Sequence, residues 1–148
     1  MARKLCIAAI PGDGIGAEVI GAGLEVLAAL AETDSFGIEA ITFDWGSARY
    51  HRTGPLMTED GVETPRGCDA ILSGAAGAPD VPDHLSLCGL RLAIRQGLDQ
   101  HTNPRPVRSL PGIESPLQGV DAGDLDRVIV RDNAEGEYAG QGGCGHRG

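Results

Sequence analysis

The sequence has few aromatic residues and little positive charge. Two Phe, one Trp and two Tyr among 148 residues leave Ala, Ile, Leu and Val to supply most of a core, because large aromatic side chains usually bury the most area. The net charge of −9 argues against nucleic acid as a partner, since binding it requires a basic surface. No apolar run approaches the roughly 20 residues that cross a bilayer, so we expect no membrane association.

Cysteine pairs and targeting signals are also lacking. The four cysteines, Cys6, Cys68, Cys88 and Cys144, are widely spaced and form no C-x-x-C motif. The apolar stretch after the basic start, residues 5–10, is too short for a signal peptide. We therefore expect a cytoplasmic protein with reduced thiols. The four histidines show no metal-ligand spacing, which favours exposed or loop positions for them.

The start of the chain has the pattern of a strand, a helix and a second strand. Residues 5–10 (LCIAAI) are continuously apolar, which is typical of a strand buried in a parallel sheet. Residues 16–31 carry apolar side chains every three or four positions, which indicates an amphipathic helix. Residues 38–43 (IEAITF) alternate and indicate a strand, so the three segments predict a βαβ unit. The predicted buried face of the helix comprises Val19, Ile20, Gly23, Leu24, Leu27 and Leu30.

The remaining signals are shorter and predict an incomplete α/β fold. Strands are predicted at residues 70–72, 107–110 and 126–130, and a helix at residues 87–100. Glycine dominates from Gly136 onward, and no apolar element closes the chain. We therefore expect an α/β structure with a mainly parallel sheet flanked by helices, which stops before the sheet is complete.

A glycine-rich segment, residues 11–16 (PGDGIG), stands between the first strand and the first helix. It is neither a phosphate-binding P-loop, because no G-K-[ST] follows, nor a G-x-G-x-x-G fingerprint. Two interpretations stay open for it. It is either a plain tight turn, or a place where the backbone and the helix amino terminus approach an anionic ligand.

Three arginines stand at unusual positions for so acidic a chain. Arg95 follows an apolar helical segment, Arg105 lies between two prolines, and Arg131 ends an apolar strand. Their planar guanidinium groups either converge on a substrate carboxylate or pair separately with nearby acidic residues. Residues 131–138 (RDNAEGEY) form either a metal or acid/base site or a solvated turn.

Five segments together resemble the isocitrate and isopropylmalate dehydrogenase family, in the same order along essentially the whole chain. Two further segments, residues 43–47 (FDWGS) and 81–87 (VPDHLSL), are similar to the tartrate dehydrogenase/decarboxylase and D-malate dehydrogenase branch. Pro104 and Cys88 depart from that branch, which has an apolar residue and a tryptophan there. The five segments are residues 10–19 (IPGDGIGAEV), 74–77 (GAAG), 92–95 (LAIR), 103–108 (NPRPVR) and 130–138 (VRDNAEGEY).

The resemblance implies an isopropylmalate dehydrogenase-like fold and a metal-assisted oxidation. Residues 1–100 would be the amino-terminal part of the large α/β domain, and residues 101–148 the truncated start of a second domain that binds substrate and dimerises. The implied cofactors are NAD and Mg²⁺ or Mn²⁺, and the implied substrate is a small 2-hydroxy diacid such as tartrate or D-malate, oxidised with or without decarboxylation. A homodimer is implied for the full-length family.

The resemblance also assigns roles to individual residues. Arg95, Arg105 and Arg131 correspond to arginines that bind the substrate carboxylates, and Tyr138 to a tyrosine that handles a proton at the enol stage. The metal-binding aspartates and a partner lysine correspond to positions beyond Gly148, so no metal ligand is expected in this chain, and the chain alone is expected to be inactive. The implied cofactor-binding residues are Ile15, Ala75, Ala76, Gly77, Ser86 and Leu87.

Three questions stay open at this point. The sequence does not decide which diacid is preferred or whether the cofactor is NAD or NADP. A different class of function also remains: a non-catalytic remnant of the same family, or a regulatory subunit that binds a partner. The chain or gene beyond Gly148 would discriminate these from an enzyme.

Overall fold

The computed structural model describes residues 3–121 and 123–142, and these form two compact units that divide after Leu98. The glycine-rich end of the chain, whose lack of an apolar anchor the sequence indicates, lies outside the described residues from position 143 onward.

The first unit contains a three-stranded parallel sheet in the order β2-β1-β3. The strands are β1 (Lys4–Ile10), β2 (Gly37–Thr42) and β3 (Ala70–Ser73). Central β1 is buried from Ile7 to Ile10, because it has a neighbouring strand on each side and packed elements over it. The predicted βαβ unit and the parallel sheet flanked by helices are confirmed.

Helix α1 (Gly16–Asp34) connects β1 to β2 and is longer than the predicted segment of residues 16–31. Its buried side is narrower than the sequence predicts: Ile20 is buried, whereas Val19 is 53% and Leu30 46% exposed. The prediction that Val19 and Leu30 face the core is therefore wrong. A three-stranded sheet covers only the central strip of a helix this long.

Shorter helices surround the other core elements of the first unit. These are α2 (Ser47–Thr53), α3 (Glu63–Arg66), α4 (Asp83–Ser86), a π-helical turn (Leu87–Leu92) and α5 (Ala93–Gly97). The helix predicted at residues 87–100 is confirmed in outline, and α2 was not predicted because its sequence, SARYHRT, has no apolar period. The core cluster consists of Ile10, Trp45, Leu56, Leu90 and Ile94.

The second unit contains an antiparallel pair of strands, β4 (Thr102–Arg108) and β5 (Asp126–Asp132), followed by a 3-10 turn (Gly136–Tyr138). The strand predicted at residues 107–110 is wrong in its position, because β4 begins at Thr102. Asn133 N–H donates to His101 O and Ser109 N–H to Leu125 O, so odd-numbered residues of β4 form the hydrogen-bonded pairs. Both prolines of β4 fall between those pairs, where a missing N–H costs no ladder bond.

Two of the cysteines are paired, contrary to the expectation of reduced thiols. Cys6 and Cys68 form a disulfide with their Cα atoms 4.7 Å apart, and Cys88 is free and exposed. The pairing follows from the sheet, because Cys6 lies in β1 and Cys68 just before its neighbour β3. Within the described ranges, no helix is long and apolar enough to cross a membrane.

Candidate functional site

The loops that follow β1 and β3 meet at the carboxyl edge of the parallel sheet. The strand order β2-β1-β3 places these two strands side by side although the chain visits β2 between them. In open α/β sheets, ligands bind outside the carboxyl ends of strands at such a reversal of strand order. The residues 11–16 loop and the residues 74–77 loop therefore occupy the position where this fold class binds ligands.

Glycines allow the two loops to pack backbone against backbone. Gly12 has φ +72°, and a Cβ there would overlap the carbonyl oxygen of Ala75 and stand 3.0 Å from its carbon. A Cβ on Gly16 would lie 2.9 Å from Ala75 N, and one on Gly74 would lie 3.1 Å from Gly16 Cα. The plain-turn interpretation of residues 11–16 is therefore insufficient, because these glycines serve the contact with the second loop.

The carboxylate of Asp13 connects these loops to the first turn of α2. Asp13 is 8% exposed and accepts hydrogen bonds from Ser47 N–H (2.6 Å), Ser47 Oγ–H (2.9 Å) and Gly77 N–H (2.7 Å). Its own N–H donates to Ala75 O at 2.7 Å. Sequence reasoning missed Asp13, because the motif it belongs to was treated as a glycine turn. Its signal was an acidic residue inside a loop between two buried elements.

The cofactor-binding residues that the resemblance implies all lie in the first unit, several of them in the two loops at this edge. The side chain of Ile15 is 66% exposed, Ala75 and Gly77 are exposed, and Ala76 is half-buried. Arg91 donates to Ala76 O at 3.1 Å. Ser86 is buried, 5% exposed, and a Cβ on Gly77 would stand 3.9 Å from its Oγ. Leu87, half-buried, begins the π-helical turn.

An apolar cavity of about 620 Å³ lies elsewhere in the first unit, beside α4 and the π-helical turn. Its wall includes Tyr50, Met57, Cys88 and Gly89.

Two of the three arginines singled out in the sequence share one face of the β4–β5 hairpin. Arg105 lies opposite Ile129, and Arg131 lies opposite Asn103. Directly opposed residues in an antiparallel pair point to the same side, as do alternate residues along a strand. Arg105 and Arg131 are therefore diagonal neighbours, although 25 residues of chain lie between them.

Tyr138 lies next to Arg131 in the second unit. The guanidinium carbon of Arg131 stands 4.7 Å from the centre of the Tyr138 ring, a cation–π distance, and Arg131 Nη2 lies 3.6 Å from Glu137 Oε1. The predicted neighbourhood of Arg131 and Tyr138 therefore exists within this unit. Arg95, half-buried on α5, belongs to the first unit, and its convergence with the other arginines stays a prediction.

Residues 131–138 run from the end of β5 through a bend to the 3-10 turn. Asp132 Oδ1 accepts hydrogen bonds from the N–H groups of Ala134 (2.8 Å) and Glu135 (3.4 Å). Throughout residues 3–121 and 123–142, no three His, Cys, Asp or Glu side chains are close enough to hold a metal ion. The carboxylate of Asp132, the last residue of β5, thus stabilises the backbone of the segment that follows the strand.

The opposite face of the hairpin is apolar and exposed. Pro104, Pro106, Val128 and Val130 share it, again by register. Val128 is 62% and Val130 68% exposed. One hairpin thus presents a basic face with Arg105 and Arg131 and an apolar face without a charged residue between its two ends.

Comparison with known proteins agrees with this arrangement of loops and strands. The family model described as isocitrate/isopropylmalate dehydrogenase matches residues 6–146. The chain belongs to this family. It is 57% identical over 147 residues to a probable tartrate dehydrogenase/decarboxylase of Agrobacterium vitis. It is also 47% identical over 145 residues to the decarboxylating D-malate dehydrogenase of Escherichia coli strain K12.

The chain spans about 40% of the length of these two relatives, while 99% and 97% of the chain are matched. Among solved structures, the isocitrate dehydrogenase of Methylococcus capsulatus is similar in fold, with a TM-score of 0.73 and 27% identity. That comparison covers 93% of this chain and 37% of the enzyme. The family assignment and the isopropylmalate dehydrogenase-like fold that the resemblance implied are confirmed.

Proposed function

We propose that this chain contributes the nicotinamide side and part of the substrate site of an NAD-dependent, divalent-metal-assisted dehydrogenase that acts on a small 2-hydroxy diacid such as tartrate or D-malate. Oxidation is followed by decarboxylation for some of these substrates. The observation that carries the proposal is the 57% identity to a probable tartrate dehydrogenase/decarboxylase across 99% of the chain. The position of the two glycine-rich loops at the reversal of strand order supports it.

The proposed role of the first unit is to bind the nicotinamide end of the cofactor. The residues fit such a group: Ile15 offers an exposed apolar side chain, and Ala75 and Gly77 offer exposed backbone with little side-chain bulk. The nicotinamide ring would accept a hydride from the hydroxyl-bearing carbon of the substrate. Ser86 and Leu87 would line the same region from the other side of the loop.

The proposed role of the second unit is to bind the substrate carboxylates and move one proton. Arg105 and Arg131, diagonal neighbours on one face, fit the two oxygens of a carboxylate with their forked donors. Tyr138, 4.7 Å from Arg131, would donate a proton to the carbon that carries the enol after decarboxylation.

The described residues do not fit a divalent ion, because no cluster of three ligands exists among them. We therefore assign no residue of the described ranges to the Mg²⁺ or Mn²⁺ of the proposed enzyme and derive no step through it. A homodimer is the proposed assembly of the complete enzyme.

A chimera tests the function directly. All 148 residues of this chain are joined to the part of the Agrobacterium vitis relative that follows the matched region, and NAD reduction is measured with D-malate, tartrate and isopropylmalate in Mn²⁺. We expect Mn²⁺-dependent turnover with D-malate or tartrate. Because a charge-assisted hydrogen bond contributes about 1.5–3 kcal/mol, Arg131→Gln should lower kcat/KM at least about tenfold.

The matched control is Arg108→Gln in the same hairpin. Arg108 lies on the opposite face from Arg131 and pairs with Asp126 at 3.0 Å, so its removal should leave kcat/KM unchanged. A folded chimera without turnover on all three substrates would contradict the proposed function. Equal losses in the two variants would contradict the assignment of the basic face to substrate.

A second candidate is a non-catalytic, partner-binding role within the same family. The exposed apolar face of the hairpin, with Val128 and Val130 more than 60% exposed, favours it. An inactive but folded chimera, together with a purified 148-residue chain that associates with the relative's remaining part, would support this role over the enzyme.

A further inference from the structure

The buried carboxylate of Asp13 makes more contacts than a turn requires. Its two oxygens accept three hydrogen bonds from two separate segments, at 2.6, 2.7 and 2.9 Å. Hydrogen bonds to an ionised acceptor are shorter and stronger than neutral ones. This carboxylate is therefore a strong local constraint on the segments that donate to it.

Capping of α2 explains only part of this arrangement. Ser47 is the first residue of α2, and its N–H and Oγ–H supply two of the three hydrogen bonds, as expected for an acidic group at a helix amino terminus. The third comes from Gly77 N–H, 64 residues away in sequence. A cap does not need Gly77, so the third bond acts on the loop after β3.

That loop has no regular structure of its own over residues 74–82. Its first part is fixed by a small set of bonds. Gly74 N–H donates to Ile10 O, and Asp13 N–H donates to Ala75 O. Arg91 donates to Ala76 O, and Gly77 N–H donates to Asp13 Oδ2. Asp13 is the residue that both donates to this segment and accepts from it.

The conformation at Gly77 depends on such a constraint. Gly77 has φ +134°, and glycine is the residue with the most conformational freedom to lose on ordering. Without the hydrogen bond to Asp13, the Gly-Ala-Ala-Gly loop would populate several conformations. Ligand binding would then have to order the loop, which lowers the binding affinity.

We propose that Asp13 is a positioning residue for the nicotinamide site: through Gly77 N–H and Ala75 O it fixes the residues 75–77 backbone beside Ile15 in the conformation that receives the ring. This rests on the proposed function. Asp13 itself touches neither cofactor nor substrate. Its effect is on the affinity and geometry of binding at residues 75–77.

The test uses the 148-residue chain labelled with ¹⁵N and titrated with NADH. Asp13→Asn keeps the size of the side chain but replaces one acceptor oxygen with an NH₂ donor, which must face either the Ser47 or the Gly77 donors. We expect Asp13→Asn to shift the Gly77 amide resonance and to weaken NADH binding about tenfold, the loss of roughly one net hydrogen bond. Ser47→Ala, which removes one bond on the α2 side, is the matched control and should bind NADH as the parent chain does.

The outcomes separate the two proposals. NADH binding at residues 75–77 in the parent chain with equal affinity in Asp13→Asn overturns the positioning role and leaves the cofactor assignment intact. No NADH-dependent shift in the folded parent chain overturns the cofactor assignment and the positioning role with it. If Asp13→Asn fails to fold, the hydrogen-exchange rate of the Gly77 amide in the parent chain is measured instead. Exchange as slow as that of the β1 amides supports the hydrogen bond from Gly77 to Asp13 as a constraint on the loop. Exchange as fast as that of the Gly112 amide overturns it.

Discussion

Substituting Gly12 tests whether the two loops at the sheet edge pack as closely as the geometry indicates. Gly12→Ala adds a Cβ that overlaps the carbonyl oxygen of Ala75 and lies 3.0 Å from its carbon. Gly14→Ala is the matched control two residues away. Gly14 also has positive φ, +53°, but a Cβ there meets nothing within 4 Å.

The two substitutions share one cost and differ in another. Placing an L-residue at positive φ costs about 1–2 kcal/mol, so Gly14→Ala should lower the free energy of unfolding by roughly that amount. Gly12→Ala pays this cost too, and it must also separate the loops and stretch the bond from Asp13 N–H to Ala75 O. Losing a buried hydrogen bond adds about 1–3 kcal/mol, which brings the expected total to about 2–5 kcal/mol.

Urea unfolding followed by tryptophan fluorescence measures this difference. Trp45 is the single tryptophan of the sequence, is 2% exposed, and belongs to the core cluster of the first unit. Its emission should report unfolding of that unit, with stability obtained by linear extrapolation. Equal destabilisation by the two variants, within about 0.5 kcal/mol, would refute the close backbone contact between the loops.

Four further outcomes are expected. Ile10→Ala should destabilise the first unit by about 2–5 kcal/mol and Ile10→Val by about 0.5–1.5 kcal/mol, because Ile10 is 1% exposed within the core cluster. A loss of stability below about 2 kcal/mol for the alanine variant would contradict that packing. Lys4, 2.6 Å from Glu39, holds the pKa of Glu39 below its usual value. The stabilisation of the fold by this ion pair is therefore present above that usual pKa and is lost as the pH falls through the lowered pKa. NMR titration of Lys4→Met should show the Glu39 pKa rising, and an unchanged pKa would rule the interaction out. The double variant Val128→Lys/Val130→Lys should reduce self-association measured by light scattering, because Val128 and Val130 lie on an exposed apolar sheet face. Unchanged scattering would show that this face does not drive association. Finally, the purified 148-residue chain should not reduce NAD with D-malate, tartrate or isopropylmalate in Mn²⁺, and metal-dependent turnover above background would prove that expectation wrong.

Local sequence patterns predicted the parallel sheet and its crossover helix because each signal lies within one element. The continuous apolar run of β1 and the three-to-four spacing of α1 reflect burial of that element itself. The hairpin was harder to place, because Pro104 and Pro106 argue against a strand until the pairing register is known. Helix α2 has no apolar period in its sequence, and the hydrogen bonds at its start come from Asp13 in a distant loop, so no local pattern predicted it.

The candidate site was likewise predicted only in part from the sequence. The five motifs identified the family, and the resemblance assigned roles to Arg105, Arg131 and Tyr138. Their neighbourhood required the antiparallel register that makes Arg105 and Arg131 diagonal neighbours. The pairing of Cys6 with Cys68 was likewise missed, because 62 residues separate them and only the β1–β3 pairing brings them together.

The sequence by itself determined the family and the α/β class, because these depend on residue identity and short-range periodicity. Tertiary structure decided which backbone atoms meet. The contact of the two glycine-rich loops and the three bonds to Asp13 depend on positions fixed by strand order and register, which are long-range properties. A glycine or an aspartate in the sequence does not state which distant loop it must approach, so that information arises only when the sheet assembles.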